Sequence, residues 1–434
     1  MNPFTVGLIG IGVLIILLFL RMPVGLVMAA VGFAGFYYLT SLEGALGILR
    51  TVPFTTAASY DLSVLPLFLL MGSFAFYSGL SERLYNSAYK LIGGAPGGLA
   101  MATVIGCSGF AAVSGSTLAT AATMGMIALP EMKKYNYDPA LATGVVASGG
   151  SLGILIPPSS ILIIYGIITE QSIGKLFMAG VFPGLILASL FMLCIAVRVR
   201  FNKKLGPPGI KTTFSQKIAS LKDSWGVLVL FVVIMGGLYL GLFTPTEAAG
   251  VGAFGAFLFT AFTRRLTKKN LIAAVTETMR STAMIFVIVI GAMIFGYFLA
   301  ISRVPFQLAS FVGDLQVPPT VILICILVVY LLLGCIMDTL AMVILTVPIF
   351  YPVIVKLGFD PIWFGVIMVL VSEMGVITPP VGMNVYVIHG VAKEVPLFTI
   401  FKGIVPFLCM MVLCIILVVM FPQIALYLPR LMGP

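Results

Sequence analysis

Long apolar runs dominate the chain, and each is stopped by glycine, proline or charge rather than by a regular polar alternation. They fall near residues 4–20, 24–40, 62–79, 140–168 and 173–197, and again near 225–243, 245–263, 282–300, 361–389 and 403–421. Runs of about 18 or more apolar residues predict membrane-crossing helices, because a helix satisfies its own backbone hydrogen bonds where lipid offers no partner. The runs at 140–168 and 361–389 are cut by Gly and Pro-Pro, so each predicts a broken helix. Two further stretches, about 98–129 and 318–352, carry small or polar residues at their middles. Each is either a full span or a re-entrant hairpin.

The second set of runs copies the first. Gly153-Ile154-Leu155-Ile156-Pro157-Pro158 recurs as Gly375-Val376-Ile377-Thr378-Pro379-Pro380, and Thr117-Leu118-Ala119 as Thr339-Leu340-Ala341, at an offset of 222 residues. The same offset pairs Pro130 with Pro352, Asp138-Pro139 with Asp360-Pro361, and Pro23 with Pro245. Corresponding Gly/Pro breaks in two halves point to a secondary transporter, where unwound backbone offers carbonyls and helix ends to an ion or solute near the bilayer midplane. The expected organisation is a first repeat over 1–197, a basic linker over 198–223 and a second repeat over 224–434 that includes a C-terminal span.

Composition narrows the class to an all-α polytopic membrane protein, with 61% hydrophobic and 9% charged residues. The net charge of +10 does not point to nucleic acid, because the positive residues lie in loops between apolar runs, where they set topology. Charge also decides the two ambiguous stretches. As hairpins that return to their own side, they leave five crossings in each half, an odd number, so the repeats are inverted. With the N-terminus outside, 19 Lys and Arg fall in the cytoplasm, among them Arg21, Lys133, Lys134 and the linker residues, against 5 outside. Full spans would scatter these charges more evenly. The first run has no basic residue before it and no small-residue cleavage site, so it reads as a retained span. The six cysteines lack metal-ligand spacing and read as small packing residues.

The hairpin middles carry the candidate chemistry. Ser114-Gly115-Ser116-Thr117 places three hydroxyls and flexible backbone at an apex, an oxygen-rich setting for sodium that faces the break at Gly153–Pro158. Pro157 and Pro158 have no N–H, so carbonyls one turn earlier, at Gly153 and Ile154, are left free to coordinate. In the second half, Gly334-Cys335-Ile336-Met337-Asp338-Thr339 faces the break containing Gly375 and Thr378. Asp338 reads as the only carboxylate deep in the membrane without a basic neighbour, and burying it costs about 2.5–3.5 kcal/mol on insertion scales. It is either an ion-coordinating or gating group or a helix cap. Glu373 and Asn384 flank the second break and extend a polar path. Ser116, Asp338 and Asn384 are the candidate solute contacts. Glu247 in Thr244-Pro245-Thr246-Glu247 reads as a helix cap, and His389 as an interfacial residue. No metalloprotease, nucleophile-elbow or nucleotide-binding motif is present, so no enzymatic role is expected and energy must come from an ion gradient or a partner.

The runs Gly97-Gly98-Leu99-Ala100, Ser114-Gly115-Ser116, Ile156-Pro157-Pro158-Ser159, Pro183-Gly184, Thr244-Pro245-Thr246-Glu247-Ala248-Ala249 and Thr378-Pro379-Pro380-Val381-Gly382 together resemble the large membrane subunit of TRAP transporters, the tripartite ATP-independent periplasmic systems. The resemblance covers about residues 20–390. It implies a bacterial inner-membrane system for sodium-driven uptake of carboxylate-bearing solutes such as C4-dicarboxylates or sialic acids. It also implies an elevator mechanism, in which hairpins and broken helices move against a scaffold. Carried over, the first sodium site would use Ser114, Thr117, Gly153, Ile156 and Pro158, to which the residue reading adds Ser116. The second would use Gly334, Gly375, Thr378 and Val381, to which it adds Asp338 and Thr339. Sodium is the coupling ion and no other cofactor is implied. The implied partners are a small four-helix membrane subunit and a periplasmic substrate-binding protein, in the unfused arrangement. The rival reading is a stand-alone two-hairpin sodium/anion symporter of related inverted-repeat fold.

Overall fold

The structure, a computed structural model, describes residues 1–20, 22–209, 212–222 and 224–432. Arg21, Lys211 and Asp223, which the charge tally or the linker assignment includes, lie outside them. The described residues form α-helices and connecting turns, with no β-strand. In chain order these are α1 (Pro3–Phe19), α2 (Val24–Leu39), α3 (Leu42–Ala57), α4 (Val64–Tyr77), α5 (Leu80–Ile92), α6 (Gly98–Ser114), α7 (Thr117–Lys134) and α8 (Pro139–Gly150). There follow the single turn α9 (Leu152–Leu155), then α10 (Ser160–Thr169), α11 (Ile173–Phe201) and the linker helix α12 (Phe214–Leu221). The remainder comprises α13 (Trp225–Tyr239), α14 (Pro245–Phe262), α15 (Lys268–Ser302), α16 (Val304–Asp314), α17 (Pro319–Gly334) and α18 (Thr339–Lys356). The chain closes with α19 (Pro361–Ile377), α20 (Met383–Val391), α21 (Leu397–Met420) and α22 (Gln423–Leu431).

Helix boundaries recur at the offset seen in the sequence. Helix α18 both begins and ends 222 residues after α7, and the local reasons are shared. Asp138 caps α8 by accepting from the Leu141 N–H at 2.9 Å, and Asp360 caps α19 by accepting from Ile362 and Trp363 at 2.8 and 3.1 Å. Each is followed by a proline at the first helical position, where a missing N–H costs nothing. Thr244 and Glu247 form a reciprocal capping box at the start of α14, with the Thr244 N–H donating to Glu247 at 2.8 Å, as the Thr-Pro-Thr-Glu run predicts.

By length and composition, five helices of the described residues can cross a membrane: Pro139–Thr169 taken as one broken element, Ile173–Phe201, Lys268–Ser302, Thr339–Lys356 and Leu397–Met420. A sixth is reached if α3 and the segment Asp61–Tyr77, bent by 54°, are one span. The counterpart of that bent pair is the unbroken 35-residue α15. Prolines account for the difference, since Pro53 and Pro66 lie on either side of the bend whereas residues 268–302 contain none. Hydropathy passes over α3, α5, α12, α16 and α22 because they are short or two-faced. Helix α5 buries Leu80, Leu84, Tyr85 and Ala88 while Glu82 and Asn86 are exposed, the spacing of an amphipathic arm.

The core is densest around the breaks. Every residue of α8 from Leu141 to Gly150 is buried, and α19 is buried over most of its length. Helix α21 lies on α8 with backbones in contact, since a Cβ at Gly403 would sit 1.9 Å from the Ala140 carbonyl. Helix α2 meets α15 in the same manner, a Cβ at Gly291 falling 2.0 Å from the Gly25 oxygen. Of the cysteines, Cys107, Cys194, Cys335 and Cys414 are buried and Cys325 and Cys409 exposed, all unbridged.

Candidate functional site

Two helical hairpins, α6–α7 and α17–α18, bring their tips to the two breaks, α8–α10 and α19–α20. At the first tip, Gly115 takes the left-handed conformation at φ 59° and closes the turn between α6 and α7. Ser160, at the start of α10, donates to the Gly115 carbonyl at 3.0 Å. Within the tip, Thr120 donates to the Ser116 carbonyl at 2.8 Å, so Ser114 is the donor in its 2.9 Å contact with Thr120. The break approaches just as closely: a Cβ at Gly153 would stand 2.6 Å from the Ser116 oxygen, and one at Gly115 2.7 Å from the Pro158 oxygen. Ser114, Ser116, Thr117, Gly153 and Pro158 are therefore gathered in one place, with Ile156 buried between Gly153 and Pro158.

The second tip is assembled differently. Asp338 caps α18, one carboxylate oxygen accepting from the Leu340 N–H at 3.1 Å. Its side chain lines a crevice of about 550 Å³ whose walls are apolar, including Phe4, Leu8 and Ile15 of α1 and Leu308 of α16. Gly334 and Gly375 touch backbone to backbone, with a Cβ at Gly375 only 2.7 Å from Gly334. Thr378 turns its hydroxyl back onto the Met374 carbonyl at 2.6 Å. Val381 is half-buried, and Pro379 and Pro380 are exposed where Pro157 and Pro158 are buried. Both Pro-Pro bonds are cis.

Between the tips lies a carboxylate that the sequence reading left at the margin of the second break. Glu373, 1% exposed, accepts from the Thr117 hydroxyl at 2.7 Å and from the Thr339 hydroxyl at 3.2 Å. These threonines are equivalent in the two repeats, so one side chain joins both hairpins. This corrects the expectation that Asp338 is the only deep, unneutralised carboxylate. Asp338 is exposed to the crevice. Glu373 is enclosed, and neither ion pair of the described residues, Lys133–Glu394 or Arg265–Glu82, includes it. The available signal was a lone acid within an apolar run.

Asn384 is fully buried against the first half's broken helix. Its Nδ2 donates to the Ala147 carbonyl at 3.2 Å, and a Cβ at Gly150 would lie 3.1 Å from the same nitrogen and 3.2 Å from the Thr117 carbonyl. Asn384 thus accompanies Thr117 and the first break, whereas Asp338 opens toward α1, so the candidate solute contacts are divided between two environments. The Asn384 Oδ1, Ser148 Oγ and Ser151 Oγ atoms are buried without a hydrogen-bond partner among the described residues, which leaves three oxygens by the first break able to accept or coordinate. His389 contacts the Val395 carbonyl through Nδ1 at 3.0 Å.

Paired hairpins, paired breaks and a shared buried carboxylate form a hard-oxygen environment. Residues 11–424 match the family described as Tripartite ATP-independent periplasmic transporter, DctM component. The chain belongs to this family. It is a large TRAP permease, a multi-pass membrane protein. It is 38% identical over 404 residues to the C4-dicarboxylate TRAP transporter large permease protein DctM of Pseudomonas aeruginosa, covering 90% of this chain and 94% of that protein. It is 35% identical over 420 residues to the sialic acid TRAP transporter large permease protein SiaM of Vibrio cholerae, covering 96% of each. Among solved structures, the Alcanivorax borkumensis YdaH transporter superposes with a TM-score of 0.66 at 16% identity over 90% of each chain, a likeness of fold.

Proposed function

We propose that this TRAP permease imports a carboxylate-bearing organic anion across the bacterial inner membrane, driven by sodium and moving by an elevator mechanism. The observation that carries the reading is the meeting of two hairpin tips with two helix breaks around one buried carboxylate. Sodium prefers oxygen ligands, and each tip–break junction supplies hydroxyls and backbone carbonyls; the Pro-Pro pairs remove N–H donors beside them, while the Gly375 carbonyl still accepts from the Thr378 N–H at 2.9 Å. Site 1 comprises Ser114, Ser116, Thr117, Gly153, Ile156 and Pro158, and site 2 Gly334, Asp338, Thr339, Gly375, Thr378 and Val381. Two relatives are named for carboxylate-bearing solutes and a third for isethionate, a sulfonate; the first two support the carboxylate class. The family's tripartite description supports two partners, a small membrane subunit and a periplasmic binding protein that delivers the solute.

The repeats 1–197 and 224–434 are inverted in this reading, joined by the cytoplasmic linker 198–223, with the N-terminus periplasmic. Hairpins and broken helices form the moving body; α1–α5 and α13–α16 belong to the scaffold. Reconstituted with both partners, the protein should accumulate solute under an inward sodium gradient. Equal uptake under a proton gradient in sodium-free buffer would overturn the coupling, and uptake by the chain alone would overturn the need for partners. Single cysteines replacing Ser116 and Met337, in a cysteine-free background, should react with an impermeant thiol reagent from opposite sides. Reaction from one side would mean parallel repeats.

A further inference from the structure

Glu373 is buried, joins both hairpins, and has no cationic side chain within ion-pairing distance among the described residues. A carboxylate held in the apolar interior without a counter-charge is costly, so something must offset it, either a proton on the carboxyl itself or a nearby cation. Its surroundings indicate which. Its two hydrogen-bond partners are Thr117 and Thr339, one from each proposed sodium site, and Gly375 of the second site follows two residues later on the same helix. Each threonine has a single hydroxyl proton. With both protons directed at Glu373, the lone pairs of both hydroxyl oxygens remain free to coordinate a cation.

Resting on the sodium reading above, we propose that Glu373 is the positioning residue and shared counter-charge that joins the two sodium sites into one cooperative unit. Ordering the first tip around an ion fixes the Thr117 bond and with it the carboxylate. The second threonine then meets an acceptor already in place, and part of the ordering cost of the second site has been met. The carboxylate also lies between two cations that would otherwise repel each other. A glutamine preserves shape but not function: its amide NH₂ must donate to one threonine, turning that hydroxyl proton toward the ion.

The test measures solute uptake against sodium concentration in liposomes holding the permease with both partners. For the unaltered complex a sigmoidal curve is expected. Glu373→Gln should raise the half-saturating sodium concentration about tenfold, within the range of couplings between sites, and flatten the curve to a Hill coefficient of about 1. A merely structural role would lower the maximal rate and leave the curve's shape and midpoint unchanged, and that result would overturn the assignment. Sodium-independent uptake by the unaltered complex would overturn the sodium reading and this assignment together, which separates the two failures. Should Glu373→Gln not elute as a single species, Glu373→Asp carries the test: it keeps the charge, so sigmoidality should persist at a reduced rate. A folded Glu373→Asp with a hyperbolic curve would overturn the proposal.

Discussion

The two hairpin tips occupy equivalent positions in the repeat, yet one is pinned and the other open. The first is held by Ser160 and tied internally through Ser114 and Thr120. At the corresponding second-half positions stand Gly382, Ile336 and Met342, none of which has a hydroxyl. The second tip therefore lacks these clasps: Ile336 is 47% exposed, and Asp338 opens onto the apolar crevice. One backbone plan thus supports two tips held by different numbers of hydrogen bonds, the difference residing in a few side-chain oxygens. What the tips share is backbone contact with a break and a hydroxyl on Glu373.

The most severe way to probe the shared part is to separate a tip from its break. Gly153→Val and Gly375→Val each place a side chain into backbone of the facing hairpin. Both should abolish uptake and lower stability by about 1–3 kcal/mol, as overpacking does, measured by proteoliposome transport and thermal unfolding. A variant with normal uptake would break the claim that these junctions are interlocked.

Asp338→Asn isolates what is particular to the open tip. An asparagine oxygen can still accept from the Leu340 N–H, and Asn caps helices as well as Asp, so stability should change by no more than about 0.5 kcal/mol. Uptake should fall strongly, because the charge is gone. Normal uptake would reduce Asp338 to a cap.

The pinned tip offers the mildest test. Ser160→Ala removes one hydrogen bond, worth about 1 kcal/mol, which corresponds to about a fivefold change in the opening equilibrium. Labelling of a cysteine at position 116 should accelerate by that factor, and labelling at 337 should not change. Equal acceleration at both would show that the tips open together.

Much of this plan was legible in the sequence wherever the determinant was local. Asp138-Pro139 and Asp360-Pro361 start helices because cap and first-turn proline act within a few residues, and the Pro-Pro pairs break helices wherever they fall. The 222-residue offset carried those local rules from one half to the other. It could not convey where the halves diverge. Helix α15 is unbroken while α3 and α4 meet at a bend, because two prolines are present on one side of the repeat only. Helices α5 and α16 escaped the hydropathy reading since amphipathic arms are no more apolar than loops. The link from Glu373 to Thr117 spans 256 residues, and no periodicity announces it; only folding brings that acid between the hairpins.

The uninterrupted α15 has a further consequence. At about 1.5 Å per residue, its 35 residues make a rod of roughly 52 Å, against a hydrocarbon layer of about 30 Å. Lys268, Lys269, Glu277 and Arg280 all lie in its first part, and from Ser281 to Ser302 there is no charge; that uncharged length alone is about 33 Å. One end must stand clear of the lipid while the other fills it. The rod therefore sets how deep the molecule floats, and α2 and α4, packed along it, share that waterline. In a thinner bilayer the frame would tilt as a unit, because no proline in α15 allows it to bend.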